Sequence, residues 1–207
     1  MRFLTVDKGK NHFWLVIRAW RTDGSSRLLR AERISEWTDI LKLQAQYKIL
    51  HPGVAIDAGY DTTEVKSFCS KHGFLSIRGD RVNSWVHKDA RGESIKRPYS
   101  PFQTQYTVDN KLCYLVFFSN LHVKDTLALL RLGRLVPFEV PTDVSAEYTF
   151  QMSSEIRKDV VALNGELQQR WIQIADRPNH LWDAEVEQVC MAIMFGIIRL
   201  DSNFRLN

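Results

Sequence analysis

The hydrophobic pattern changes its period near Ser35, and that change limits the architectures open to the chain. Before it come three runs suited to strands. Phe3-Leu-Thr-Val-Asp7 is short, Phe13-Trp-Leu-Val-Ile-Arg-Ala-Trp20 is dense in β-branched and aromatic residues, and Arg27 to Ile34 is the third. Thr22-Asp-Gly-Ser-Ser26 reads as a turn. Links of about four residues favour an antiparallel meander. After Ser35, helix and strand patterns alternate. Ser35 is placed to cap a helix reaching Lys48, with Trp37, Ile40, Leu41, Leu43 and Tyr47 on its apolar side. Val54-Ala-Ile-Asp57 is almost continuously apolar, the mark of a strand covered on both faces. Asp61 and Glu64 form a capping box for a second helix, which Gly73 closes. Phe74-Leu-Ser-Ile77 is a strand ended by Gly79, and Cys113 to Phe118 is another. Helices are expected from Val123 to Leu132, ended by Gly133, and from Leu181 to Leu200. A meander followed by β–α–β alternation predicts an α/β fold, with a mixed sheet of antiparallel and parallel strands and helices on both faces.

Two stretches leave this pattern. Residues 79–111 are polar, basic and poor in strand signals, and read as a long excursion from the sheet. Residues 134–175 are ambiguous; Arg157 to Leu163 and Gln168 to Ile174 around Asn164-Gly165 fit a β-hairpin. With no internal repeat, the 207 residues are expected to form one domain carrying these two insertions.

Composition excludes several classes. With 44% hydrophobic and 25% charged residues, the chain is neither disordered nor fibrous. No apolar run reaches the roughly 18–20 residues of a membrane-spanning helix. Met1-Arg-Phe-Leu-Thr-Val-Asp7 lacks the basic-then-apolar pattern and cleavage site of a leader, so secretion is not expected. Cys69, Cys113 and Cys190 lie in apolar segments without a C-x-x-C, so neither a disulfide framework nor a structural zinc is expected, and a reducing cytosol fits. The net charge of +4 hints mildly at a polyanionic partner.

Three aspartates stand where aspartate is disfavoured. Asp7 and Asp57 each end an apolar strand, and Asp183 opens the last helix on a flank shared with Val186, Cys190 and Met194. The expected topology sets the strands of Asp7 and Asp57 side by side under that flank. Three converging carboxylates cannot all stay ionised without a cation. A pair of Mg²⁺ or Mn²⁺ ions, hard cations that take oxygen ligands, resolves the conflict and suits in-line phosphoryl displacement. Three further residues are auxiliary candidates. Glu187, one turn after Asp183, is either an auxiliary ligand or a solvated charge; His180 either orients a ligand or water, or caps the helix with Asn179; Asp61 is explained by its cap. Asp125, after Lys124, reads as an ordinary first-turn acid.

Five segments in order carry a family resemblance. They are Leu4-Thr-Val-Asp7; Arg18-Ala-Trp-Arg-Thr-Asp-Gly24 leading to Glu32-Arg-Ile-Ser-Glu-Trp37; Val54-Ala-Ile-Asp-Ala-Gly-Tyr60 with Val65 and Phe68; Arg78-Gly79; and Asn179-His-Leu-Trp-Asp183. Together they resemble the nuclease domain of tailed-bacteriophage terminase large subunits of the GpA kind. The resemblance implies an RNase H-like fold and metal-dependent endonuclease action on double-stranded DNA during genome packaging in the host cytoplasm. It also implies a cut leaving a 5′-phosphate and 3′-hydroxyl, and an acidic triad at Asp7, Asp57 and Asp183. The partners it implies are a terminase ATPase domain, the small terminase subunit and the portal. No G-x-x-x-x-G-K-[ST] occurs, so the chain is expected to be an excised nuclease domain or a free-standing relative that cuts without translocating. Other RNase H-like polynucleotidyl transferases (a transposase, integrase or resolvase) and a non-catalytic DNA-binding or assembly module are the alternatives.

DNA contacts are expected from the basic excursion. Arg78, Arg81, Lys88, Arg91, Lys96 and Arg97, with His87, Trp85 and Tyr99 among them, would neutralise phosphates without reading sequence. The hairpin residues Arg157, Lys158 and Arg170 are a second guide, and Phe13, Trp14 and Trp20 read as core.

Overall fold

Alternation along the first strands decides which face of the sheet each residue serves. The computed structural model describes residues 1–133, 136–161, 165–201 and 203–204. In chain order the elements are β1 (Arg2–Lys8), β2 (Phe13–Trp20), β3 (Ser26–Ile34), α1 (Trp37–Gln46), β4 (Val54–Asp57), α2 (Thr62–His72), β5 (Leu75–Asp80), β6 (Trp85–Lys88), β7 (Ser94–Arg97), β8 (Gln103–Tyr106), β9 (Leu112–Ser119), α3 (Asn120–Arg131), β10 (Phe138–Glu139), α4 (Ala146–Gln151), β11 (Glu155–Val161), β12 (Leu167–Gln173) and α5 (His180–Met194). An eight-stranded sheet runs β10-β3-β2-β1-β4-β5-β9-β8. The pairs β1/β2 and β2/β3 are antiparallel, and β1/β4, β4/β5 and β5/β9 are parallel. This is the mixed α/β sheet, with antiparallel and parallel strands and helices on both faces, expected from the pattern.

Each face has its own core. Phe3, Val16, Ala55, Ile77 and Val116 pack under α3, α4 and α5, whereas Leu4, Val6, Leu15, Ile17 and Ile56 pack under α1 and α2. Successive strand residues point to opposite faces. Asp7 and Asp57 therefore face α5, and Lys8 faces the other way. There Lys8 is buried among Phe13, Trp37 and Tyr60 and pairs with Glu64 at 3.2 Å.

Several local expectations need correction. Ser35 does not cap α1; Glu36 holds the N-cap position without a side-chain bond. β5 runs on through Gly79 to Asp80 because β9 continues to pair with it. The 79–111 excursion is not strand-poor: β6 and β7 form an antiparallel ribbon, and β8 pairs with β9 to extend the main sheet. α5 stops at Met194 rather than Leu200, because Gly196 takes a left-handed conformation (φ 71°) that ends the helix. β11 and β12 form the hairpin; Asn164 and Leu163 of its expected turn lie outside the described residues. Among the described residues no helix is long and apolar enough to cross a membrane.

A buried polar network fixes the rotation of α5 on the sheet. Thr5 donates to the Ala184 carbonyl at 2.8 Å. Gln188 donates to the carbonyls of Phe3 (3.0 Å) and Val16 (2.9 Å) and accepts from the Trp20 indole at 3.1 Å. Arg18 and Glu185, both fully buried, meet at 2.7 and 3.0 Å, and the Tyr148 hydroxyl donates to the same carboxylate at 2.7 Å. Removing one member of such a pair strands the other charge. Glu185→Ala is therefore expected to cost about 3–5 kcal/mol. Arg18→Met combined with Glu185→Leu should cost less than Glu185→Ala alone, with denaturant unfolding as the measurement.

Candidate functional site

Register brings the first two aspartates together. β1 and β4 pair in parallel through Leu4/Val54, Thr5/Ala55 and Val6/Ile56, so Asp7 and Asp57 occupy the next step on adjacent strands. Neighbouring strands lie about 4.8 Å apart. The Thr5–Ala184 bond sets the start of α5 over the same face, which brings in Asp183 and, one turn later, Glu187.

The electrostatics show how crowded this end of the sheet is. Asp57 is pushed up to about 7, first by loss of water and then by the charge of Asp7, with Asp183 adding to it. Asp183 rises to about 6 through loss of water and the charges of Glu155 and Asp7, opposed by Lys124. Glu187, 2% exposed, is driven well above the carboxylate range by burial and by Asp57, Asp7 and Asp183. Its Oε2 is buried without a hydrogen-bond partner. Glu187 is thus no solvated charge; it belongs to the cluster.

Protein donors occupy several of the remaining oxygens. His180 Nδ1 lies 2.6 Å from Asp7 Oδ2, and this bond raises the imidazole above its ordinary value. The Gly59 amide donates to Asp57 Oδ2 at 3.1 Å. Lys124 Nζ sits 3.1 Å from Asp183 Oδ1 and 2.8 Å from both oxygens of Glu155. Asn179 holds the N-cap position of α5 without capping it; its amide donates to Asp183 Oδ2 (2.7 Å) and Glu155 Oε1 (2.9 Å). Asn179 thus stands at the cap of α5 as the helix-cap reading expects, but its side chain and that of His180 serve the acidic cluster. Among the described residues, no three His, Cys, Asp or Glu side chains form a ready-made metal cage. The donor set nevertheless suits a hard cation, since carboxylate oxygens are its preferred ligands and the orphaned Glu187 Oε2 lacks any other partner.

Asp61 stands apart. Its side chain caps α2 by accepting from the Glu64 amide at 3.4 Å and lies 4.0 Å from Lys8. Lys124 and Glu155 escaped the sequence reading, because each meets the acidic cluster only in the folded chain. Asp125 is not a first-turn acid, since α3 begins at Asn120; it binds the Trp171 indole (2.8 Å) and Arg157 (3.0 Å) instead. Arg157 is therefore engaged with α3 and is not free to guide DNA, while Lys158 and Arg170 pair on the hairpin's other face. Of the excursion's basic residues, Arg78, Arg81, Lys88, Arg91 and Lys96 are exposed and Arg97 is half-buried. Lys88 and Lys96 share the outer face of the β6–β7 ribbon, and Arg78 lies close enough to Asp57 to stabilise its charge.

The terminase large subunit gpA endonuclease domain, as a family, matches residues 5–202. The chain belongs to that family. It is accordingly an endonuclease domain of the gpA terminase type. No curated protein matches the chain. Among solved structures, Thermus thermophilus RuvC aligns at 18% identity over 38% of this chain and 60% of that chain, with a TM-score of 0.30. Thermus thermophilus RuvC in complex with a Holliday junction substrate aligns at 14% identity over 95% of this chain and 98% of that one, with a TM-score of 0.43.

The raised Asp57 has a thermodynamic consequence. The unfolded carboxyl ionises near 3.8, the folded one near 7. Between these values the folded state holds the extra proton, so stability falls as pH rises through that window and the cost is fully present above it. In metal-free buffer, Asp57→Asn should stabilise the chain at pH 8 by roughly 1–3 kcal/mol. The gain should vanish near pH 4, as read by thermal unfolding at the two pH values.

Proposed function

We propose that this gpA-type nuclease domain is a divalent-metal-dependent endonuclease that cuts double-stranded DNA during viral genome packaging. In this reading Asp7, Asp57 and Asp183 hold Mg²⁺ or Mn²⁺, with Glu187 as a further ligand. The observation that carries it is the crowding of four carboxylates into one field, with the Glu187 Oε2 buried and unpartnered. When bound, two such ions supply the positive charge that both the attacking water and the departing 3′-oxygen of a phosphodiester require.

The chain's own residues do the rest. Adjacent parallel strands fix the spacing of Asp7 and Asp57, and the network of Thr5, Gln188 and Arg18–Glu185 fixes the angle of α5 and hence of Asp183. His180 orients Asp7 through the bond at 2.6 Å, and Lys124 with Asn179 orients Asp183. Arg78 and the outer face of the β6–β7 ribbon take DNA phosphates. The whole chain acts as one nuclease unit in the host cytoplasm, beside a terminase ATPase domain, the small subunit and the portal.

Plasmid cleavage tests this. The parent should nick and linearise plasmid with Mg²⁺ or Mn²⁺ and be silent in EDTA. Asp57→Asn, Asp7→Asn and Asp183→Asn should each lose at least about 100-fold in rate, the order expected when a catalytic electrostatic group is removed. Cleavage that survives Asp57→Asn excludes the mechanism, and a parent inert with every divalent ion points to a DNA-binding module.

A further inference from the structure

The acidic cluster continues sideways into a row of a different character. On the face that carries α5, Asp7 of β1 pairs in register with Trp14 of β2, and Trp14 with Arg33 of β3. Asp57, Asp7, Trp14 and Arg33 thus form one line across four neighbouring strands. Two strand steps, about 10 Å, separate the backbone of Asp7 from that of Arg33. The middle of the line is flat and aromatic. The His180 ring lies parallel to Trp14 (interplanar 7°, centroids 6.1 Å), and His12 stands edge-on to both at 5.5 and 6.5 Å.

Arg33 is the cation at the end of the line. It is exposed, and no carboxylate is paired with it among the described residues. Its charge lies near enough to act on both His12 and His180, beside this aromatic step. Arg33 is thus an exposed cation with no paired carboxylate among the described residues, two strands from a crowded acidic cluster. Its surroundings do suit a phosphodiester: a guanidinium for the phosphate and a ring face against which the sugar or base can lie. Beyond Asp57 the register continues to Ile77 of β5, and the next residue, Arg78, turns toward the opposite face while its charge still reaches Asp57.

We propose that Arg33, backed by Trp14 and His12, is a phosphate-binding subsite that takes the DNA backbone beside the scissile phosphate, on the side away from Arg78. The subsite rests on the nuclease reading and extends it to a residue outside the basic excursion. It contributes binding and register rather than chemistry.

The test measures binding of the full chain to a short labelled duplex in EDTA, across a salt series, for the parent, Arg33→Gln, Arg33→Lys and Lys42→Gln. Lys42 is exposed on α1 and serves as a charge-matched control. Arg33→Gln should weaken binding roughly five- to tenfold and reduce the slope of log affinity against log salt by about one. Arg33→Lys should keep the parental slope, and Lys42→Gln should match the parent. In cleavage with Mn²⁺, Arg33→Gln should raise KM by a similar factor with kcat held within about twofold. An unchanged slope, or a loss of kcat at constant KM, overturns the subsite. Binding is read without turnover, so a parent that fails to cut counts against the nuclease reading while the slope still decides the subsite. An unchanged slope in a parent that cuts removes the subsite alone.

Discussion

Repulsion among carboxylates at one end of a parallel strand pair is the constraint around which the rest of this molecule is arranged. Asp7 and Asp57 share a register step, and α5 brings Asp183 and Glu187 against them. Left to themselves such groups would take up protons or move apart. The fold prevents separation, and the raised values of Asp57, Asp183 and Glu187 show the tendency toward protons. The strands are locked by their ladders, and α5 is stitched to β1 and β2 by Thr5, Gln188 and the Arg18–Glu185 pair. The remaining repulsion is divided among local donors: His180 on Asp7, the Gly59 amide on Asp57, and Lys124 with Asn179 on Asp183. Glu187 is left with an oxygen that nothing satisfies.

This division explains why the cluster is not a closed metal cage as it stands. Each aspartate has an oxygen turned toward a donor that offers less charge than a divalent ion would. Lys124 is the strongest of these donors, and it is tied to Glu155 at the start of the β11–β12 hairpin. The hairpin is therefore anchored to the acidic cluster through side chains, and Asp125, Arg157 and Trp171 add a second anchor beside the first. On the far side of the sheet, Lys8 holds the β1 terminus to α2 through Glu64 and an aromatic surround, so the strand carrying Asp7 is gripped from both faces.

Much of this arrangement was legible from residue pattern. β2 and β4 have the limits their composition suggests, because a run of β-branched and apolar residues ends where Asp or a turn begins. The adjacency of β1 and β4 followed from the switch between meander and alternation, and the oddness of Asp7, Asp57 and Asp183 followed from charges closing apolar segments. What stayed hidden depends on partners distant in sequence. Lys124 meets Glu155 and Asp183 only in the folded chain, and Glu155 lies in the stretch whose pattern was ambiguous. Arg18 inside an apolar strand carried the same signal as Asp7 but not the identity of its partner, 167 positions away. The β6–β8 strands are short and half-exposed, so tertiary pairing rather than hydrophobic period defines them. The end of α5 turned on Gly196, which lies within an apolar run that masks it.

The most direct test of the account is anomalous diffraction from crystals of the chain soaked in Mn²⁺. Anomalous density is expected in contact with carboxylate oxygens of Asp7, Asp57 and Asp183, with Glu187 beside it. Saturating Mn²⁺ that leaves those oxygens bare, or that orders only elsewhere on the surface, would contradict it.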